Sequence, residues 1–211
     1  MGKSPTSEVR KYHHGGLKQV LLEETARILR EEGEAALSLR RLASNLGVSR
    51  TAPYNHFKNK DALLAGVAEE GFRKFERAMR KVRRKHQDSP GQQFFRAVVN
   101  AYVNFALKNQ EYYDLMYSSK SWGTDKPEES LLSTARQTLL DDIARMKRAQ
   151  DEGRIAKQVD VTEFCRIYWG TLHGISRLTL DGIYANATIR RKLCNSTADM
   201  LWQQLDPAQE K

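Results

Sequence analysis

Apolar residues recur every third or fourth position along almost the whole chain, and that spacing restricts it to helices. Leu17 is followed at helical spacing by Leu21, Leu22, Ala26 and Leu29, and Gly33 breaks the run. No long stretch alternates apolar with polar residues as a half-buried strand would, and the few prolines sit near breaks. Ser38 stands as an N-cap before a second short helix, LRRLASNLG, and Ser49 before a third that runs through Phe57. Asn59 caps a long fourth helix from Lys60 towards His86, with Leu63, Leu64, Val67, Phe72 and Phe75 along one face. Beyond Pro90 the spacing predicts helices over 94–109, 111–119, 128–152, 161–183 and 188–205. No internal repeat, glycine-rich phosphate loop or low-complexity tract interrupts them.

Charge narrows the partners. The net charge is +9 over 211 residues, which favours an anionic partner without identifying it. Positive charge is front-loaded: residues 73–86, RKFERAMRKVRRKH, carry eight Lys or Arg against the single acid Glu76. The polar break around Ser89-Pro90-Gly91 follows, and it is the expected domain boundary. A hydrophobic fraction of 40% excludes general disorder. No stretch approaches the roughly 20 apolar residues of a membrane span. The segment MGKSPTSEVRKYHHGG lacks the apolar core of an export signal, so a cytoplasmic protein is expected. Cys165 and Cys194 lack the paired spacing of a zinc site and read as buried free thiols; no metal and no cofactor are expected.

The segment SLRRLASNLGVSRTAPYNHF carries the chemistry. Leu39, Leu42, Ala43 and Leu46 form a core face, and Ala43 is small where two helices approach. Gly47 permits a left-handed turn, Val48 plugs the corner, and Ser49 opens the next helix. Short helices joined by such a glycine turn are a helix-turn-helix. Its second helix is expected to expose Arg50, Thr51, Pro53, Tyr54, Asn55 and His56. In a major groove Thr51 and Arg50 suit base edges, whereas Tyr54, His56 and the nearby Lys58 or Lys60 suit phosphates. Phe57 reads better as core, partnered by Leu63. The segment 1–16, with Arg10, Lys11, Tyr12, His13 and His14, reads equally as a minor-groove arm or as a leader without fixed structure.

From Gly33 to Leu64 this pattern resembles the TetR-family DNA-binding domain. The matching residues are Leu42-Ala43, Gly47-Val48-Ser49, Tyr54-Asn55-His56-Phe57 and Lys60. The resemblance implies an all-α protein in which an N-terminal three-helix helix-turn-helix domain is joined by a long fourth helix to a C-terminal helical bundle that binds ligand and dimerises. With the charge break and the basic segment already noted, the expected organisation is a basic arm at 1–16, the DNA-binding domain at 17–60, the linking helix at 61–87 and the C-terminal domain at 88–211. It implies operator contacts by Ser38, Ser49, Arg50, Thr51, Pro53, Tyr54, His56 and Lys60. Ala52-Pro53 departs from the pair found in many members and looks like the variant of a subgroup.

In the C-terminal half, YWGTLHGISRLTLDG resembles a Trp-His-Gly signature helix of one TetR subgroup, here Trp169, His173 and Gly174. Trp169 and His173 are four apart and share a helix face, beside a small-residue stripe of Gly170 and Gly174 that suits a packed bundle or a subunit contact. These two, with Phe95, Val99, Tyr102, Tyr113, Met116 and Trp122, are the candidate effector-pocket residues; all of them also read as ordinary core. Tyr112 belongs to the same aromatic stretch. Enzymatic function is not expected: His173 with Asp181, and His86-Gln87-Asp88, have no nucleophile at useful spacing. The expected function is a homodimeric, sequence-specific repressor, released from a palindromic operator of double-stranded DNA by a small-molecule effector. The alternative is a helical DNA-binding or scaffold protein without an effector.

Overall fold

The computed structural model describes residues 16–117 and 129–209, and among them every regular element is helical. The α-helices are α1 Leu17–Glu32, α2 Leu39–Asn45, α3 Lys60–Lys85, α4 Gly91–Lys108, α5 Gln110–Met116, α6 Glu129–Asp151, α7 Val161–Leu180 and α8 Ala187–Leu205. Three-residue-per-turn 3-10 segments lie at Glu34–Ala36, Ala52–Asn55 and Pro207–Gln209. The all-α class read from the apolar spacing is therefore the observed one. The arm residues Arg10 to His14 and Trp122 lie outside the described residues. What is described divides into two compact units, with the division between Leu63 and Leu64.

In the first unit Leu21, Leu22, Ala26 and Ile28 of α1 are buried with Leu39, Leu42 and Ala43 of α2. Gly33 ends α1 at φ +80°, as its position after the last apolar residue implied. The Ser38 hydroxyl accepts from the Arg41 N–H at 3.2 Å and caps α2. Gly47 takes φ +64°, and the Val48 N–H closes the turn onto the Ala43 carbonyl at 3.0 Å.

The third helix differs from expectation. An α-helix capped by Ser49 would bond the Ser49 carbonyl to the N–H of residue 53, and residue 53 is proline, which has none. The carbonyl instead accepts from Ala52 at 3.0 Å, and the segment winds as a 3-10 helix over Ala52–Asn55. Ser49 is no helix cap here; its hydroxyl lies 3.2 Å from that of Thr51. Asn59 does cap the next helix, its side-chain oxygen accepting from Ala62 N–H at 2.8 Å.

In the second unit α4 packs against both α7 and α8, and α6 packs against α7. The long α3 is a core element of this unit: Phe72, Phe75 and Met79 are buried, and the Phe75 ring stands edge-on to Tyr102 and Phe105 at 5.0 and 5.3 Å. Asp160 and Asn186 cap α7 and α8, each accepting two backbone N–H groups. Those bonds also hold the Asp160 carboxyl below the usual range. Arg96 grips both carboxylate oxygens of Asp199 at 2.6 Å and ties α4 to α8. Cys165 and Cys194 are free and buried, with burial raising both thiol pKa values.

The first residue of α4, Gly91, lies under the Trp202 indole. A Cβ there would come within 2.0 Å of a ring carbon. Gly91→Ala is expected to cost about 1–3 kcal/mol, the usual range for overpacking a rigid group. Chemical denaturation followed by tryptophan fluorescence measures this, and wild-type stability would mean that the indole swings clear freely.

Candidate functional site

The helix-turn-helix gathers Ser49, Arg50, Thr51, Tyr54 and Asn55 on one turn and the 3-10 segment behind it, all exposed. Tyr54 is 48% exposed, unusual for an aromatic with so large an apolar face to hide. His56 is half-buried and Phe57 is core, as its apolar flank implied. Pro53 is not on this surface. It is buried, because the 3-10 winding that its missing N–H enforces turns the ring inward. Ser38 stands exposed at the start of α2 with its hydroxyl engaged as the cap. Lys60 donates to the Glu34 carbonyl at 2.8 Å and lies 3.7 Å from the Glu34 carboxylate. Part of its charge is thus answered within the protein.

The arginines of this unit fall into paired and unpaired sets. Arg27 is held by Glu24 and Glu31, and its bond to Glu24 keeps that carboxyl below the usual range despite partial burial. Arg41 reaches both oxygens of Glu32 at 2.6 and 2.8 Å and the Ala36 carbonyl at 3.2 Å. Arg40 and Arg50 are exposed and make no ion pair among the described residues. Arg40 is a residue that sequence reasoning passed over. Its signal was the second helical position behind the Ser38 cap, next to the internally paired Arg41.

The basic run 73–86 is less free than its composition suggested. Arg73 pairs with Glu69 at 2.9 Å and Arg77 with Glu70 at 2.6 Å, both carboxylates being buried. Arg83 sits 2.9 Å from Glu76 and 3.8 Å from Asp142. Lys81, Arg84 and Lys85 remain exposed, without an ion pair among the described residues.

The candidate pocket residues of the second unit separate into three settings. Val99 and Met116 are fully buried core, and Met116 packs over Gly71. Tyr102, Tyr113, Trp169 and His173 join with Tyr117 in one hydrogen-bonded cluster. The Trp169 Nε1–H donates to the hydroxyls of Tyr102 and Tyr117 at 3.0 and 2.9 Å. The Tyr113 hydroxyl lies 2.9 Å from Nδ1 of His173. Trp169 and His173 are linked through the Tyr117 ring, which is 4.3 Å from the imidazole and 6.3 Å from the indole. Burial raises the pKa of all three tyrosines; burial and the charge of Arg177 lower that of His173. Each of these shifts favours the neutral form of its group. On its outer side Trp169, Gly170 and His173 border an open depression of about 290 Å³. Phe95 belongs to neither setting and lines a separate cavity.

Gly170 and Gly174 face open space, since a Cβ on either would meet no atom within 4 Å. They are not a packing seam within the unit. On the same helix Ile167 is 55% exposed, and on α8 Ile189 and Met200 are 58% and 56% exposed. Among the described residues no group of three His, Cys, Asp or Glu is placed to hold a metal ion, and no helix is long and apolar enough to cross a membrane.

A helix-turn-helix with an exposed polar segment behind its turn, followed by a helical unit with its own core, defines the architecture of a DNA-binding regulator with a separate second domain. The chain belongs to the TetR family: residues 21–67 match bacterial regulatory proteins, tetR family, and residues 95–201 match the Tetracyclin repressor-like C-terminal domain. That family is one of non-enzymatic transcription regulators that bind operator DNA and act as dimers. A protein of unknown function from Rhodococcus sp. RHA1 is similar at 30% identity, over 93% of this chain and 99% of that one, with a TM-score of 0.79. The TetR family transcriptional regulator PfmR from Thermus thermophilus shares the fold at 19% identity, over 88% and 98% of the two chains, with a TM-score of 0.61. The fatty acid degradation regulator FadR from Bacillus halodurans does so at 13% identity, over 94% and 96%, with a TM-score of 0.65. No curated protein matches.

Proposed function

We propose that this regulator is a cytoplasmic homodimeric repressor whose segment from Ser49 to Tyr54 reads a near-palindromic operator, and whose second unit takes a small-molecule effector that releases it. The observation that carries the reading is the exposed Arg50, Thr51 and Tyr54 on a turn fixed by Gly47 and Pro53. Thr51 and Arg50 supply base-edge contacts, and Tyr54 with Arg40 supplies phosphate contacts. Ser38, His56 and Lys60 flank this surface as further backbone contacts. Dimerisation is assigned to the unpacked apolar stripe of α7, which runs Ile167, Thr171, Gly174, Leu178, together with Ile189 and Met200 of α8. The two glycines let a partner helix approach closely. A dimer then offers two reading segments to half-sites about one helical turn, or a multiple of it, apart.

Selection of bound fragments from genomic DNA tests the reading, and recovery of no common site sinks it. Thr51→Ala and Arg50→Ala are expected to change which bases are preferred, by about 1–3 kcal/mol where the lost contact is bidentate and less for a single bond. Tyr54→Phe is expected to weaken all sequences alike. Competition against a panel of operator variants measures both effects. Unaltered base preference in both Thr51 and Arg50 variants removes the reading role from this segment. The effector part obeys a reciprocal rule: operator must weaken effector binding by the same factor by which effector weakens operator.

A further inference from the structure

Within the second unit, a cavity of about 370 Å³ opens where the turn between α3 and α4, the C-terminal part of α6 and the last turn of α8 meet. Small-molecule sites span roughly 300–1,000 Å³. Its walls are largely apolar, from Phe94, Phe95, Met146, Ile155, Trp202 and Leu205. One wall is fixed by the backbone: Ala156 N–H donates to the Leu205 carbonyl at 2.9 Å, and the Gln150 amide holds three carbonyls between Ala156 and Val159.

Two guanidinium groups, Arg145 and Arg154, line the cavity against one carboxylate, Asp206. Asp206 is already engaged, accepting from the Ala208 N–H at 3.0 Å. Among the described residues Arg154 pairs only with its near neighbour Glu152, and both side chains are more than half exposed. Such a pair is weak, so Arg154 can turn to another anion at little cost. Arg145 hydrogen-bonds Asp142 and lies 3.7 Å from Glu76 of α3. The lining itself carries two cations against one anion, which disfavours a cationic guest, and a neutral apolar molecule would make no use of the loosely held Arg154.

We infer that this cavity binds an amphipathic organic anion, an aromatic or alkyl body with one carboxylate or sulfonate head directed at Arg154 and Arg145. The inference rests on the effector reading above and gives it a site and a ligand class. The head competes with Glu76 for Arg145, so occupancy loosens a tie between α6 and α3, the helix whose first turn belongs to the DNA-binding unit.

The test uses the full chain without DNA and two probes of like shape, 1-anilinonaphthalene-8-sulfonate and the uncharged N-phenyl-1-naphthylamine. Dye fluorescence is expected to show saturable binding at one site per chain. Arg154→Glu should weaken the sulfonate tenfold or more and leave the neutral probe unchanged, with an unaltered circular dichroism spectrum and melting temperature. Ala149→Phe, which fills the cavity, should abolish binding of both. Glu76→Gln should tighten the sulfonate several-fold by removing one of the two carboxylates that hold Arg145. Sulfonate binding indifferent to both Arg154→Glu and Ala149→Phe overturns the site, and equal weakening of both probes by Arg154→Glu overturns the anionic class. Indifference to Glu76→Gln overturns the competition with α3. A chain that binds operator and ignores the sulfonate loses this site alone; one that binds the sulfonate and no operator loses the repressor reading alone.

Discussion

Ile167→Glu is expected to leave the protein monomeric and to lower operator affinity about 10²–10⁴-fold, the range by which linked binding exceeds single engagement. In a two-fold interface every substitution occurs twice, so two carboxylates would enter an apolar contact. Each buried, unpaired charge costs several kcal/mol, enough to dissolve a contact built around Ile167, Gly170 and Gly174. The reading segment lies in the other compact unit, so each monomer keeps its DNA contacts and loses only the second half-site. Light scattering with a gel-shift titration reads both effects. Leu140→Glu is the matched control, because Leu140 is an equally exposed apolar residue, 56%, on α6. A dimeric Ile167→Glu protein would assign the partner to another face.

Salt should have as large an effect. Six to ten phosphate contacts give a log–log slope of about −0.9 per contact, so operator affinity should fall about 10³–10⁵-fold between 50 and 200 mM salt. The neighbours Arg40 and Arg41 separate the sources of that slope. Arg40 is exposed without an ion pair among the described residues, and its loss from both subunits should reduce the slope by about 1.8. Arg41 is already bound to Glu32 and the Ala36 carbonyl; Arg41→Ala should lower the melting temperature and leave the slope unchanged. Salt titrations of both variants against one operator decide it, and equal slopes for Arg40→Ala and wild type would take Arg40 off the phosphate backbone.

Most of the helices were legible because apolar spacing records which face each one buries, and several of their ends were legible in Ser38, Gly33 and Asn59. The third helix was not, although the reason was in plain view: Pro53 removes the one donor that an α-helix opened by Ser49 needs first. The basic run misled because charge balance is settled in three dimensions. Glu69 and Glu70 stand just upstream of the run, and Asp142 arrives from a distant helix. The aromatic candidates were found as residues but not as an arrangement. Helical spacing places Trp169 and His173 on one face, yet it cannot show that the indole N–H is answered by hydroxyls from Tyr102 and Tyr117. The cavity around Trp202 left no motif at all, since its walls come from three separated stretches of chain.

Pro53 also bears on how the protein meets DNA. A proline ring seated in the core restricts φ at the centre of the reading segment and removes conformations that the unfolded chain would otherwise sample. Much of the ordering entropy of this segment is therefore lost when the chain folds, not when it docks. Complex formation should then approach rigid-body association, with a heat-capacity change that reflects the surface buried and little coupled folding. Such a segment has small capacity to reshape itself around an imperfect site, so its discrimination among operators comes from stiffness as well as from the side chains it displays.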